Sequence, residues 1–203
     1  MRCYHLCNFY LAGIHAGIQS AHTQHELAIK YLASTPYRNM VADESLVEYG
    51  ARLDLHTDAK AEYIDWANNH KTMILLNGGM MSHLLEFETF LGAHQHAFAW
   101  SSFREEEDAL NGALTNIGIV LPEHMYAYTR QVLDFHESGD STDVIQVGQV
   151  QLIFERFDEC EPITMTISRS ASRGSTVLAT TVTFGFFEIE LMQRLGRLKL
   201  MGA

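Results

Sequence analysis

Basic residues are scarce in this chain: 14 Lys and Arg stand against 25 Asp and Glu, a formal net charge of −11. An acidic chain is repelled by phosphate backbones and gains nothing from counterion release, which weighs against nucleic acid as a partner. Cysteine is almost as sparse. Cys3, Cys7 and Cys160 are odd in number and too few for a disulfide framework. Cys3 and Cys7 lie four apart on an expected strand, on one face but too far apart for an easy disulfide, and read as small buried hydrophobes. No apolar run approaches the roughly 20 residues that cross a bilayer, so no membrane partner is expected. The first residues lack the uninterrupted apolar core of a secretory signal, from which a cytoplasmic location is expected. There is no internal repeat, no low-complexity linker, and no HExxH, CxxC or GxSxG spacing. What remains is a globular balance, 47% hydrophobic and 19% charged, in 203 residues: one domain, or one domain carrying a large insertion.

The pattern along the chain alternates strands with helices. Tyr4 to Tyr10 reads as a first strand. Gly13 and Gly17 then open an apolar-periodic stretch with Ile14, Ile18, Ala21, Leu27, Ala28 and Leu32 at helical spacings, ended by Ser34-Thr35-Pro36. A short helix is expected over Asp43 to Tyr49 and a firmer one over Asp58 to Asn68. Thr72 to Leu76 is a short buried strand before Asn77-Gly78-Gly79. Ser82 stands as helix N-cap before Leu84, Leu85, Phe87, Phe90 and Leu91. Strands follow at His96 to Ser101 and Leu114 to Leu121. This order predicts an α/β fold, a mixed or parallel sheet flanked by helices. Composition changes near residue 123. Val144 to Phe154 alternates as a strand, Ile163 to Ile167 and Val177 to Phe184 read as two more, and the Ser/Arg stretch 168–175 between them reads as a hairpin loop. A helix over Glu188 to Leu195 and a strand over Arg197 to Leu200 close the chain.

Three histidines lie on the first helix, His15, His22 and His25, at offsets of seven and three along one face. They read as an acid/base cluster at a ligand pocket, with a metal site, a polar helix face or a dimer contact as alternatives. Gln19 and the backbone amides near Gly13 and Gly17 suit a carbonyl or phosphate oxygen at a helix N-terminus. Close helix–sheet packing is the other reading of the two glycines. Glu105 to Asp108 is either a solvated face or, following a strand end, the source of a carboxylate that orients a histidine. Arg169 and Arg173 flank the serine-rich loop and would suit an anionic ligand, or simply a solubilising tip.

The segment Ala12-Gly13-Ile14-His15-Ala16-Gly17-Ile18-Gln19-Ser20-Ala21-His22 resembles the glycine-containing loop and helix of the type 2 peptidyl-tRNA hydrolase family, with Gln19 and His22 in matching places. Trp66 to Leu76 looks like that family's helix and second strand, Ser82 to Leu91 its next helix, and Phe98 to Pro122 its third strand, acidic turn and fourth strand. Leu191 to Leu200 looks like its closing helix and strand. The resemblance covers roughly 1–122 and 186–201, which implies one α/β domain over 1–122 and 186–203 with a β-rich insertion, an inserted β-hairpin region, over 123–185. It implies Thr115 as a further site residue and Glu105 as the acid. Two departures stand out: the family's loop lysine is His15, and the acidic turn reads Arg104-Glu105-Glu106-Glu107.

Two functions follow as expectations. In the first the chain is an esterase acting on peptidyl-tRNA or a smaller aminoacyl or nucleotide ester. His15 or His22 is the base, Glu105 its partner, and Gly13, Gly17, Gln19, Thr115, Arg169 and Arg173 hold the ligand. In the second it is a non-catalytic module that sequesters a small anionic, nucleotide-like ligand. Neither calls for a metal or cofactor. The family implies a homodimer, and the alternating stretch Val144 to Phe154 would pair with a partner's edge.

Overall fold

Apolar runs of strand length alternate with amphipathic stretches through the first 121 residues, and the computed structural model shows the sheet that they build. It describes residues 1–32, 58–94, 97–158, 161–169 and 178–201. The helix expected over Asp43 to Tyr49, Cys160 and Arg173 lie outside these. The chain divides into two units, Met1–Glu123 with Leu198–Ala203, and His124–Arg197.

The first unit runs β1 (Arg2–Cys7), α1 (Gly13–Leu32), a helical stretch α2 (58–65) continued by a π-helical turn Trp66–His70, then β2 (Met73–Asn77), α3 (Met81–Ala93), β3 (Trp100–Arg104), the single turn α4 (Glu107–Leu110) and β4 (Leu114–Leu121). Strand order is β2-β1-β4-β3. β1 is parallel to β2, and β4 is antiparallel to both of its neighbours. The sheet is therefore mixed. Every residue of β4 is buried, as a central strand covered on both faces requires.

Alternation along β1 assigns the faces. His5 sits under α1 and Leu6 on the side of α3, because a Cβ on Gly118 would meet both Thr23 of α1 and His5, and one on Gly78 would meet both Leu84 of α3 and Leu6. On the α1 face, Cys3, Leu27, Tyr31, Ala59, Tyr63, Trp66, Ala99 and Val120 make one buried cluster. Ala59, Tyr63 and Trp66 follow the helical spacing that the sequence shows.

Four expectations shift. The buried stripe of α1 is Ala16, Ser20, Thr23, Leu27 and Tyr31, while Ile14 and Ile18, which begin the apolar periodicity, are 76% and 46% exposed. Small and hydroxyl side chains face inward because the helix lies close to the sheet at Gly118, where a Cβ would sit 2.9 Å from Thr23 Cγ2. The third strand begins at Trp100, His96 lying outside the described residues; Phe98 and Ala99 are buried ahead of it, with Ala99 O accepting the Val120 N–H. The N-cap of α3 is Met80, whose N–H is accepted by His83 Nδ1 at 3.3 Å, and Ser82 lies inside the helix. Gly79 makes that turn possible. Its φ is +80°, and a Cβ there would lie 2.5 Å from His83 Nδ1. The closing strand is reduced to one antiparallel bridge, Leu76 with Leu200, held by the Asn77 N–H on Lys199 O and the Met201 N–H on Leu75 O.

The second unit begins with α5 (His124–Ala127) and α6 (Thr129–Ser138), which the composition did not suggest. β5 (Thr142–Val147), β6 (Val150–Glu155), β7 (Ile163–Arg169), β8 (Leu178–Phe184) and α7 (Phe186–Gly196) follow. The stretch Val144 to Phe154 is thus two strands, β5 and β6, turning at Gly148, whose φ is +61°. The sheet is an antiparallel meander, β5-β6-β7-β8. Leu152, Phe154, Ile163, Met165 and Phe184 are buried in this unit, as are Val132, Phe135, Ile189, Leu191 and Met192 of its helices. Phe135 stacks on Phe154 at 5.1 Å. Arg156, 7% exposed, donates from Nε to Asp140 O at 2.7 Å and from Nη1 to His136 O at 3.4 Å, satisfying carbonyls where α6 ends.

Candidate functional site

The site of the first unit is built where β1 turns into α1 and where β3 turns into α4. Asn8 shapes the first turn. Its N–H reaches Thr115 O, its side-chain Oδ1 accepts the Tyr10 N–H, and its carbonyl accepts the Leu11 N–H. The helix then starts at Gly13 and carries His15, Gln19, His22 and His25. Gly13 and Gly17 face open space, so a Cβ at either would meet nothing. The close-packing reading of these two glycines is thereby overturned.

The second turn depends on a bulge. Phe103 pairs with Asn116 and Arg104 with Leu114, so Thr115 is the extra residue of its ladder. Beyond the bulge Arg104 points to Glu88, whose other oxygen accepts the Ser102 hydroxyl at 2.6 Å. Glu105 is half-buried, whereas Glu106, Glu107 and Asp108 are exposed. One carboxylate of the acidic run turns inward, and it is Glu105.

Gln19 joins the two turns. Its Nε2 donates to Glu105 Oε1 at 2.5 Å, and Thr115 Oγ1 lies 3.4 Å from its Oε1 and equally 3.4 Å from Phe103 O, with one proton to give. The carboxamide is therefore held at both ends. His22 is exposed and stacks on the Phe103 ring, centroids 4.6 Å apart and planes 14° from parallel. Gln19, His22, Glu105 and Thr115, from three separate stretches of sequence, thus come together. His15 and His25 are exposed on the same helix, and the hydrogen bond of Glu105 goes to Gln19 and to neither of them. Among the described residues no three His, Cys, Asp or Glu side chains converge as metal ligands. Arg169 lies at the exposed end of β7, in the second unit.

Directly beneath this surface lies a polar network absent from the sequence reading. Asn116 Nδ2 donates to Ser20 Oγ at 3.3 Å and to Cys7 Sγ at 3.2 Å. Its Oδ1 therefore faces His5 Nδ1, at 2.9 Å, and must accept a proton from it. That assigns His5 the Nδ1–H tautomer and leaves Nε2 to accept from Gln24 Nε2 at 2.7 Å, with Cys3 Sγ 3.4 Å away. Cys3, His5, Ser20 and Asn116 are all 0% exposed. Burial pushes the Cys3 thiol up to about 12 and the His5 imidazole down to about 4, so both are neutral near pH 7. A thiol, an imidazole and a carboxamide in one chain have the parts of a cysteine nucleophile. Without a thiolate or an opening to substrate they serve instead as a satisfied polar core. Of the Cys-x-His-x-Cys on one strand face, the sequence marks only Cys3 and Cys7, as small buried hydrophobes, because the partners Ser20, Gln24 and Asn116 come from distant elements.

A cavity of about 420 Å³ lies elsewhere, in the second unit, lined by His136, Phe186, Ile189, Glu190, Gln193, Arg194 and Arg197. Its Arg194 is already paired with Glu190 at 2.6 Å, and it includes none of the residues singled out from the sequence. No family model, curated protein or solved structure matches the chain.

Proposed function

We propose that the first unit carries an esterase site of the peptidyl-tRNA hydrolase type, centred on Gln19 and acting on a small aminoacyl or nucleotide ester. The observation that carries this reading is the Gln19 carboxamide clamped between Glu105 and Thr115, with His22 alongside on Phe103. An amide fixed at both ends is pre-oriented to hydrogen-bond an ester, and fixed donors are what stabilise charge developing on a carbonyl oxygen. His22 is an accessible imidazole one helical turn further on and serves as the base for water. The order β1, α1, α2, β2, α3, β3, β4 agrees with the order that the resemblance implies, which supports the reading. The net charge of −11 favours a small ester over a whole tRNA.

The expected outcome is release of the acyl group from an N-acetyl-aminoacyl nucleotide by the pure protein, measured by chromatography. His22→Ala and Gln19→Ala should each lower the rate by roughly a hundredfold, the usual contribution of a general base or of an oriented donor. A wild-type rate equal to that of His22→Ala removes the esterase.

One observation favours the second reading, a module that binds a small anionic ligand without turnover. The hydrogen-bond partner of Glu105 is Gln19 and not a histidine, so among the described residues no imidazole–carboxylate pair stands assembled at this site. On that reading mononucleotides raise the melting temperature, Gln19→Ala weakens the shift, and no ester is cleaved.

A further inference from the structure

The second sheet has two outer edges, β5 and β8, and the chain finishes them differently. Gly148 and Gln149 form the two-residue turn between β5 and β6, so the flanking pair Val147 and Val150 is the hydrogen-bonded pair that closes the hairpin. Alternation then directs Asp143 and Ile145 toward β6 and leaves the N–H and C=O groups of Val144 and Gln146 on the outer edge. There Asp143 Oδ1 accepts the Val144 N–H at 2.7 Å, and Gln146 Nε2 donates to Gly148 O at 2.9 Å. An acidic side chain occupies the β5 edge, one of the ways in which native sheets prevent edge-to-edge pairing.

The same alternation carries across the sheet. Gln151, Ile153 and Glu155 of β6 bond to Ser168, Thr166 and Thr164 of β7. Ile163, Met165 and Ile167 then bond to Phe184, Val182 and Thr180 of β8. What faces outward on β8 is therefore the backbone of Ala179, Thr181 and Thr183. All three residues are exposed, and among the described residues no backbone group pairs with them on that side. β8 reads Leu-Ala-Thr-Thr-Val-Thr-Phe: no charge, no proline, and an unbroken seven-residue register without a bulge. Among the described residues none of the usual guards is present.

We propose that β8 is a dimerisation edge, taken by the β8 of a second copy in antiparallel pairing about a two-fold axis at Thr181. Thr181 then faces its own equivalent and exchanges both backbone hydrogen bonds with it. Ala179 faces Thr183 of the second copy, and two four-stranded sheets become one of eight. A second copy fits because the strand is self-complementary in this register: only Ala and Thr side chains oppose each other on the exposed face. It also fits by charge. Two chains of −11 repel each other wherever acidic surface meets, and β8 is uncharged along its length. Pairing through β5 would instead break the Asp143–Val144 bond and bring Asp143 of both copies into one seam.

The test is sedimentation of the full chain from about 5 to 200 µM, with two engineered cysteines in a Cys160→Ser background, Cys3 and Cys7 being fully buried. Directly opposed residues of a hydrogen-bonded antiparallel pair have Cα atoms about 5.5 Å apart, within disulfide range. The expected result is a dimer that Thr181→Lys converts to a monomer with unchanged far-ultraviolet circular dichroism. Thr181→Cys should give a disulfide-linked dimer under mild oxidation, and Val144→Cys, on the other edge, should not. A monomer throughout the range overturns the proposal. So does a dimer that Thr181→Lys leaves intact, or one that Val144→Cys cross-links and Thr181→Cys does not. Because Thr181→Cys keeps a small uncharged side chain and loses only a methyl group at an exposed position, it decides the matter even where Thr181→Lys fails to fold.

Discussion

The residue on which the first unit turns is Asn116, whose carboxamide reads three side chains on two elements at once. It accepts from His5 on β1, donates to Ser20 on α1, and donates to Cys7 at the end of β1. Thr115, its neighbour, reaches Gln19, so the buried network and the surface site share one stretch of β4. Asn116→Ala should cost about 2–4 kcal/mol in urea denaturation, because it strands two buried donors or acceptors at about 1–3 kcal/mol each. The same change frees the His5 ring from its tautomer. In wild type, nitrogen-15 spectra of the imidazole should show the proton on Nδ1 and no titration above pH 5, in line with a pKa lowered to about 4. A His5 that titrates near 6.5 would sink the assignment.

At the scale of elements, the distance between α1 and β4 is set by the missing side chain at Gly118. A Cβ there would lie 2.9 Å from Thr23 Cγ2 and 3.2 Å from His5 Cε1. Gly118→Ala should therefore destabilise by about 1–3 kcal/mol, the usual cost of overpacking. Thr23→Ser keeps the hydroxyl bonded to Gln19 O and removes the clashing methyl. In the double variant much of the loss should return, a coupling that a double-mutant cycle measures directly. The second unit has its own single point of dependence. Arg156 holds the carbonyls of His136 and Asp140 and lies over the Phe135 ring at 5.4 Å. Arg156→Ala should cost about 2–3 kcal/mol by thermal melting, and lysine, lacking the planar fork, should recover little of it.

For the whole molecule, two ionisable groups, the buried His5 and the half-buried Glu62, pull stability in opposite directions with pH. Burial lowers the His5 pKa from 6.5 to about 4, so its contribution is present above pH 6.5 and is lost as pH falls through 4. Burial, reinforced by Asp58, raises the Glu62 pKa from 4.5 to about 7, so its contribution is present below pH 4.5 and is lost as pH rises through 7. Each is worth on the order of 3 kcal/mol at most, and over pH 4.5 to 6.5 they offset one another. Glu62→Gln should unmask the histidine. Urea midpoints of that variant should fall more steeply than wild type between pH 6.5 and 4.5, and parallel curves would refute the opposition. The sequence by itself determined the mixed α/β class, the core strand Leu114 to Leu121, the helix bearing Gln19 and His22, and the acidic run containing Glu105. These rest on local periodicity, on turn residues and on composition, which neighbours along the chain carry. Only the tertiary structure decided which face of α1 is buried, which of four acidic residues turns inward, and that Cys3, Cys7 and His5 share one network with Asn116. Those choices depend on how closely a helix approaches a strand, and Gly118, about ninety residues from α1, sets that approach.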